Sequence, residues 1–323
     1  MSGMDTGTWA PAAVRRELDA AGVPPEHHAA YRRCRLLNAR HGRTYFLATR
    51  LLAPAQRPAV HALYGFARWV DDIVDDPDQQ RTVADRQLAV DRVDRTLRAG
   101  LRAGRSDHPI LAALIDAVSR HRIDPALFTD FMASMRMDLT VRDYPTRAAL
   151  DGYVYGSAAV IGLQVLPVLG TVGPVAEAAP YAAALGEAFQ LTNFLRDIGE
   201  DLDRGRVYLP MDELAVFGVD RERLTWCRRW GRADRPVRRA LADQVARTRA
   251  RYRAAEPGIA LLAPRSRPCV ATAFTLYGEI LDRIVESGYD VFRRRVAVSG
   301  TRRASVAASA IAAVAAARLR ARG

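Results

Sequence analysis

Lysine is missing from this 323-residue chain, so all 48 of its basic residues are arginine. An absence that complete is a compositional habit of the whole sequence, not local selection for a phosphate-binding tract. Cysteine is nearly missing too. Cys34, Cys227 and Cys269 are odd in number, far apart and without CxxC spacing, which excludes a disulfide framework and a cysteine zinc site and fits a reducing compartment. No uninterrupted apolar run reaches the roughly 18 residues that a membrane span needs; the longest are SAAVIGLQVLPVLG from 157 and the alanine-rich stretch near 305 to 317. The opening residues lack the basic-then-apolar layout of a secretion signal, and the expected location is cytoplasmic. There is no DxDxDG calcium loop, no glycine-rich dinucleotide fingerprint after a strand and no repeat of fixed period.

What is present is positive charge and helical periodicity. The net charge is +12, which raises nucleic acid as a partner. The arginines, however, are scattered and interleaved with Asp and Glu, the pattern of a solvated surface, so no nucleic acid is expected. A basic surface and an arginine-rich tail favour peripheral contact with an anionic membrane surface. Residues 1–25 are rich in Gly, Ala and Pro and read as a flexible segment. The apolar spacing then predicts helices over 28–38, 43–53, 56–76, 83–100, 108–121, 125–138, 146–170, 176–203, 234–255 and 267–297, with no alternating strand pattern. The expected organisation is therefore an all-α domain over 26–297, followed by an Ala/Arg-rich tail over 298–323 that is either a surface helix or disordered.

Two helical segments carry oxygen-bearing side chains in line. With about 100° per residue, Tyr64, Arg68, Asp71 and Asp75 of LYGFARWVDDIVDD fall within a stripe of roughly 60°. Gly186, Gln190, Asn193, Asp197 and Asp201 of LGEAFQLTNFLRDIGED share another by the same arithmetic. One DDxxD run on a basic protein is most often a solvated helix end. Two stripes inside an otherwise apolar helical chain read differently. Magnesium prefers oxygen ligands and is usually held by one or two carboxylates plus substrate phosphate, so two such helices facing each other would clamp the ion against a diphosphate and make it a leaving group. Nearby arginines would add charge-assisted hydrogen bonds to its oxygens.

In chain order, HGRTYFLATRLLAP at 41–54, YGFARWVDDIVDD at 64–76, MRMDLTVRDYPT at 135–146, DGYVYGSAAVIG at 151–162, QLTNFLRDIGEDLDRGRVYLP at 190–210 and YGEILDRIVESGYDVFRRR at 277–295 resemble the signature regions of the squalene and phytoene synthases. These are the trans-isoprenyl head-to-head condensing enzymes, and the resemblance runs from His41 to Arg295. It implies an isoprenoid synthase helical bundle around a central apolar cavity. Carried over by matching position, Asp71 and Asp75 would hold one magnesium site (Mn2+ substituting) and Asn193, Asp197 and Asp201 the other. Arg68, Gln190, Arg196 and Arg294 would grip diphosphate oxygens. Tyr64, Tyr153 and Tyr277 would line the site where cations form. His41, Gly42, Arg43 and Thr44 correspond to the segment that meets the second diphosphate. Two departures stand out: Gly42 where relatives often have Ser, and SAAVIG where many read VAGxVG.

The resemblance implies condensation of two geranylgeranyl diphosphates, through a cyclopropyl diphosphate, to phytoene without NAD(P)H. Squalene, hydroxysqualene or a diapophytoene from farnesyl diphosphate is the alternative. A chain-elongating prenyltransferase or a terpene cyclase also satisfies DDxxD. An elongase, though, usually uses lysine on its second diphosphate, and a cyclase places Ser where this chain has Asp197. A non-catalytic helical partner is disfavoured by two intact stripes.

Overall fold

The computed structural model describes residues 11–76, 80–306 and 308. They form helices joined by short loops. Among them there is no strand, only two isolated bridges, Asp143 with Val207 and Thr171 with Leu262. In chain order the helices are α1 (Pro11–Ala20), α2 (His28–His41), α3 (Arg43–Thr49), α4 (Arg57–Asp75), α5 (Val83–Ala103), α6 (Pro109–His121), α7 (Ala126–Thr140), α8 (Arg147–Val154), α9 (Val160–Leu169), α10 (Val175–Asp203), α11 (Met211–Ala215), α12 (Arg221–Trp230), α13 (Arg235–Ala255), α14 (Gly258–Leu261) and α15 (Arg267–Glu286). The all-α expectation holds.

The ends of these helices are written in their local chemistry. Thr82 and Asp85 form a reciprocal capping box at the start of α5, and Asp220 and Asp234 accept from backbone N–H groups at the starts of α12 and α13. Proline occupies the first turn of α4, α6, α13 and α15, where the lost N–H costs nothing.

The expectation of a flexible 1–25 fails for its second half. α1 buries Val14 and Leu18, one turn apart, and its Glu17 reaches Arg57 at 2.6 Å and Arg35 at 3.7 Å. That small apolar stripe docks a segment whose Gly, Ala and Pro content reads as loose; residues 1–10 lie outside the described residues. At the other end, α15 stops at Glu286, not near 297, because Gly288 and Tyr289 both take left-handed φ values of 64° and 66°. Residues 300–306 are helical, and the tail beyond 308 lies outside the described residues. α11, α12 and α14 are absent from the periodicity reading. In RERLTWCRRW of α12 only Leu224 and Cys227 are buried, too few to mark an apolar face.

Burial divides into two large cores. One gathers α1, α2, α4, α5, α6 and α7 around Phe66, Leu111, Leu114 and Met132, with Phe66 edge-on to Phe128 at 5.8 Å. The other gathers α12, α13 and α15 around Leu241, Leu281 and Phe292. The 29-residue α10, about 43 Å long at 1.5 Å per residue, joins the second core through Ala188, Leu195 and Ile198. α8 and α9 join through a π-helical turn, Tyr155–Ala159, into one stretch, Arg147–Leu169, that is long and apolar enough to cross a membrane by length and hydropathy. That tempers the reading that no run qualifies: the helix is interrupted by small and polar residues, and 56% of its most apolar window is buried inside the fold. It lies close against α10. A Cβ on Gly162 would stand 2.2 Å from the Ala182 carbonyl oxygen, and one on Gly186 2.3 Å from that of Ala158. The small residues of SAAVIG therefore serve helix approach.

Between these helices lies a cavity of about 220 Å3, lined almost entirely by apolar side chains of α3, α9, α10, α14, α15 and the turns after α3 and α14, among them Leu52, Val165, Leu169, Phe189, Leu262 and Val270.

The junction of α2 and α3 accounts for Gly42. A Cβ there would lie 2.2 Å from Asn38 Oδ1, 2.9 Å from the Asn38 carbonyl oxygen and 3.0 Å from the Tyr64 ring. Asn38 is fully buried and its amide Nδ2 lies 3.0 Å from His61 Nδ1, so it cannot swing aside freely. Asn38 thus fills the space that a residue-42 side chain would need. Gly42→Ser is expected to destabilise the fold by about 1–3 kcal/mol, with part of the loss recovered in Asn38→Ala/Gly42→Ser. Thermal unfolding of the three proteins measures it, and an unchanged Gly42→Ser midpoint would show that the junction has room.

Candidate active site

The two acidic stripes meet. α4 carries Tyr64, Arg68, Asp71, Asp72 and Asp75 towards α10, which carries Gln190, Asn193, Asp197 and Asp201. Asp75 and Asp201 lie close enough to act on each other's charge. Asp201, only 8% exposed, has its carboxyl pushed up to about 8, first by burial and then by Asp197, with Arg204 and Arg206 opposing. Asp71 is pushed up to about 7 by desolvation in the cleft and then by Asp75, against the pull of Arg68. Its side chain keeps 45% of its surface, so the cleft is concave and wet, not sealed. Asp138 of α7 is raised as well, chiefly by burial.

Arginines hold this charge in place. Arg68 reaches Asp71 at 3.0 Å and also binds Asp72. From the turn after α10, Arg206 reaches Asp75 at 3.0 Å and Arg204 does so at 3.3 Å. Arg206 also donates to the Asp138 carbonyl oxygen at 2.8 Å. Arg196 grips Asp197 with two hydrogen bonds, 2.8 and 2.6 Å, and Arg295 adds one at 3.0 Å with an ion-pair contact from its Nε at 2.8 Å.

Below the acidic mouth the rings of Tyr45, Tyr64, Phe189 and Tyr277 form a girdle. Centroids lie 6.3 Å apart for Tyr45–Tyr64, 5.3 Å for Tyr45–Tyr277 and 4.5 Å for Phe189–Tyr277. Gln190 joins the two zones: it lines the cavity, and its Oε1 accepts from Asn193 Nδ2 at 3.3 Å. Asn193 Oδ1 is buried with no partner.

Most of the sequence-predicted residues converge here. His41 is exposed at the rim, where burial of its ring and the neighbouring Arg68 push its pKa down. Thr44 is half-buried, immediately before Tyr45 of the girdle. Two are displaced. Tyr153 is buried in a separate aromatic cluster with Tyr144, Phe194 and Tyr208, and its hydroxyl donates to Asp138 at 2.7 Å, so it stands beside the acidic group and not in the cavity wall. Arg294 is exposed and makes no ion pair among the described residues, while its neighbour Arg295 reaches Asp197. Both arginines lie in the irregular segment after α15, which two left-handed residues have ended. Sequence reasoning missed Tyr45 and Phe189, which look like ordinary core aromatics. It also missed Asp138, Arg204, Arg206 and Tyr208, which lie outside both stripes; the string DRGRVYLP already held three of those four.

The donors suit a hard cation, being carboxylates that repel one another and a buried amide oxygen in need of a partner. Among the described residues no three His, Cys, Asp or Glu side chains gather as a closed metal cage. Arginines stand between the carboxylates, and an ion held by one or two carboxylates plus substrate phosphate needs no cage.

Comparison with known proteins agrees with this geometry. The squalene/phytoene synthase family model matches residues 38–302. The phytoene synthase of Arthrospira platensis is 37% identical over 287 residues, covering 85% of this chain and 90% of that protein. The 15-cis-phytoene synthase of Synechococcus elongatus is 37% identical over 280 residues, covering 83% and 88%. The chloroplastic phytoene synthase 3 of Zea mays is 40% identical over 281 residues, covering 85% of this chain and 64% of its own greater length. Among solved structures, a dehydrosqualene synthase in complex with ligand superposes with a TM-score of 0.80 at 25% identity, covering 90% of this chain and 98% of that one. Squalene synthase HpnC from Alicyclobacillus acidocaldarius does so with 0.74 at 28%, covering 84% and 98%. The chain belongs to the squalene/phytoene synthase family.

Proposed function

We propose that this enzyme is a phytoene synthase, condensing two geranylgeranyl diphosphates head to head through a cyclopropyl diphosphate and releasing two diphosphates. The observation that carries the reading is an apolar cavity opening, through Gln190 and an aromatic girdle, onto two facing stripes of oxygen donors. The phytoene synthases of the preceding section, similar over most of the chain, favour the geranylgeranyl substrate; the squalene-type structures support the family alone.

Asp71, Asp75, Asn193, Asp197 and Asp201 would hold magnesium, which when bound draws electron density from the diphosphate and makes it a better leaving group. Arg68, Arg196 and Arg295 now neutralise carboxylates. With cation and substrate present they are free to turn charge-assisted hydrogen bonds onto diphosphate oxygens, beside Gln190. Departure of the first diphosphate leaves an allylic cation; the double bond of the second substrate attacks it, and loss of a proton from the resulting cation closes the cyclopropane ring. The ring faces of Tyr45, Tyr64, Phe189 and Tyr277 offer that cation negative charge without a nucleophile. The apolar wall keeps water from capturing it. The cyclopropyl diphosphate then ionises in the same site, rearranges and loses a proton. That balance needs no hydride, so no nicotinamide is required.

Asp71→Asn and Asp197→Asn are expected to lower turnover by about a hundredfold or more with helicity unchanged, as read by product formation and far-ultraviolet circular dichroism. Wild-type rates in both would remove them from the site. Asp201→Asn relieves repulsion at a buried carboxylate, so its unfolding midpoint should equal or exceed wild type while activity is lost; a lower midpoint would mean that the carboxylate stabilises the resting fold. Chelator-treated enzyme should be inactive and recover with magnesium or manganese. Pure enzyme given geranylgeranyl diphosphate and magnesium, with and without NADPH, should yield phytoene in both cases. A longer diphosphate formed on adding isopentenyl diphosphate would instead identify an elongase.

A further inference from the structure

The surface beside α12 is unlike the rest of the exterior. Trp226 and Trp230, one turn apart, are 41% and 62% exposed with ring centroids 6.1 Å from each other. They project from a helix that is firmly held. Leu224 and Cys227 on its opposite face are fully buried, and Asp220 caps its first turn at 2.8 Å from the Arg223 N–H. Arg228 binds Asp203 with two hydrogen bonds, 2.9 and 2.5 Å, and also donates to the Phe292 carbonyl oxygen. Fixed tryptophans at such exposure are therefore a property of the surface and not of a frayed helix.

Arginines surround the pair. Arg229 and Arg232 are exposed, and Arg293 is brought in from the irregular segment after α15, its Cβ 3.6 Å from where a side chain at Gly231 would begin. Among the described residues none of the three makes an ion pair. Of the nearby acids, Asp203 is spent on Arg228 and Asp234 on Arg223, while Glu200, Asp220 and Glu222 are exposed carboxylates. α12 also packs on the end of α10 that carries Asp197, Asp201 and Asp203, so this patch flanks the mouth of the cavity.

We propose that α12 and Arg293 form the docking face by which the enzyme sits on an anionic lipid bilayer, the tryptophans entering the headgroup layer and the arginines pairing with lipid phosphates. Indole rings favour that layer because one edge is apolar and the N–H is polar. Unpaired arginines on a chain of net charge +12 supply the complementary field. A convex, helical, Trp/Arg face matches a planar anionic surface better than a shaped pocket on another protein. The docked orientation would bring the cavity mouth towards the bilayer, the destination of a hydrocarbon product. That use rests on the proposed function, whereas the docking does not.

The test is co-sedimentation of the full-length protein with vesicles of phosphatidylcholine containing a minority of phosphatidylglycerol, against phosphatidylcholine alone. Binding is expected to the anionic vesicles and to fall with added salt. Trp226→Ala/Trp230→Ala should weaken it about tenfold or more, and Arg229→Glu/Arg232→Glu/Arg293→Glu about a hundredfold. Turnover of detergent-dispersed substrate and the unfolding midpoint should be unchanged. Undiminished binding in both variants would overturn the proposal and move the contact elsewhere, as would equal binding to neutral vesicles. So would a dimer, found by sedimentation without lipid, that dissociates in the tryptophan variant, since the patch would then belong to a second copy. Loss of turnover in wild-type enzyme that still binds vesicles would sink the proposed reaction and leave the docking face standing.

Discussion

Mutual repulsion among carboxylates at the head of an apolar cavity is the constraint around which this fold is arranged. Asp71, Asp138 and Asp201, on three helices, have their carboxyls pushed up chiefly by burial and further by neighbouring carboxylates, Asp75 and Asp197 among them. Left alone, such a group would drive the helices apart or hold protons. The turn after α10 answers it: Arg204 and Arg206 reach back to Asp75 on α4, and Arg206 also holds the Asp138 carbonyl of α7. One side chain thereby ties α4, α7 and the end of α10 together at the point of greatest negative charge. The length of α10 and its close approach to α9 through Gly162 and Gly186 serve the same end, since they fix where Gln190 and Asn193 stand relative to the opposing stripe.

The complete use of arginine has a structural consequence here. A guanidinium can lay two parallel N–H groups on one carboxylate, as Arg196 does on Asp197, to which Arg295 adds a hydrogen bond and an ion-pair contact. These pairs hold the acidic groups in geometry, yet the grip is reversible, because a doubly charged phosphate oxygen cluster offers the same fork more charge than a carboxylate does. Resting-state ion pairs of this kind keep the site folded and solvated without filling it.

The periodic parts of this arrangement were legible in the sequence. Spacing alone put Arg68, Asp71 and Asp75 on one face and Gln190, Asn193, Asp197 and Asp201 on another, and both faces point inward as that reading requires. What escaped has identifiable causes. Arg204 and Arg206 sit in a turn, where no period orders side chains. Arg295, beside the Arg294 that the resemblance implies, follows two left-handed residues after α15, beyond the reach of any helical count. Tyr45 and Phe189 carry no polar pattern to separate a cavity wall from a core. Tyr153 was assigned to the cavity by position, yet its hydroxyl is spent on Asp138. α12 was invisible because it buries only one narrow edge and turns tryptophan outward, the inverse of the pattern by which helices are found.

The stretch Arg147–Leu169 shows the limit of hydropathy from the other direction. Its length and apolar content suit a bilayer, yet it is a wall of the cavity, with Ala158, Ile161, Val165 and Leu169 following one another along the lining face. Its other faces are occupied by protein: Gln164 is buried and donates to the Leu127 carbonyl at 3.4 Å, and Gly162 lies against α10. A chamber for a long prenyl chain presents what lipid presents, a largely hydrocarbon surface, and here the Ser157 hydroxyl is the lining polar group left without a partner among the described residues. The nearby Thr49 hydroxyl, by contrast, donates to the Tyr45 carbonyl at 2.7 Å. A helix shaped to solvate an isoprenoid and a helix shaped to be solvated by lipid thus converge on the same composition. What tells them apart is the close, small-residue contact with α10, which a lipid-facing surface has no reason to keep.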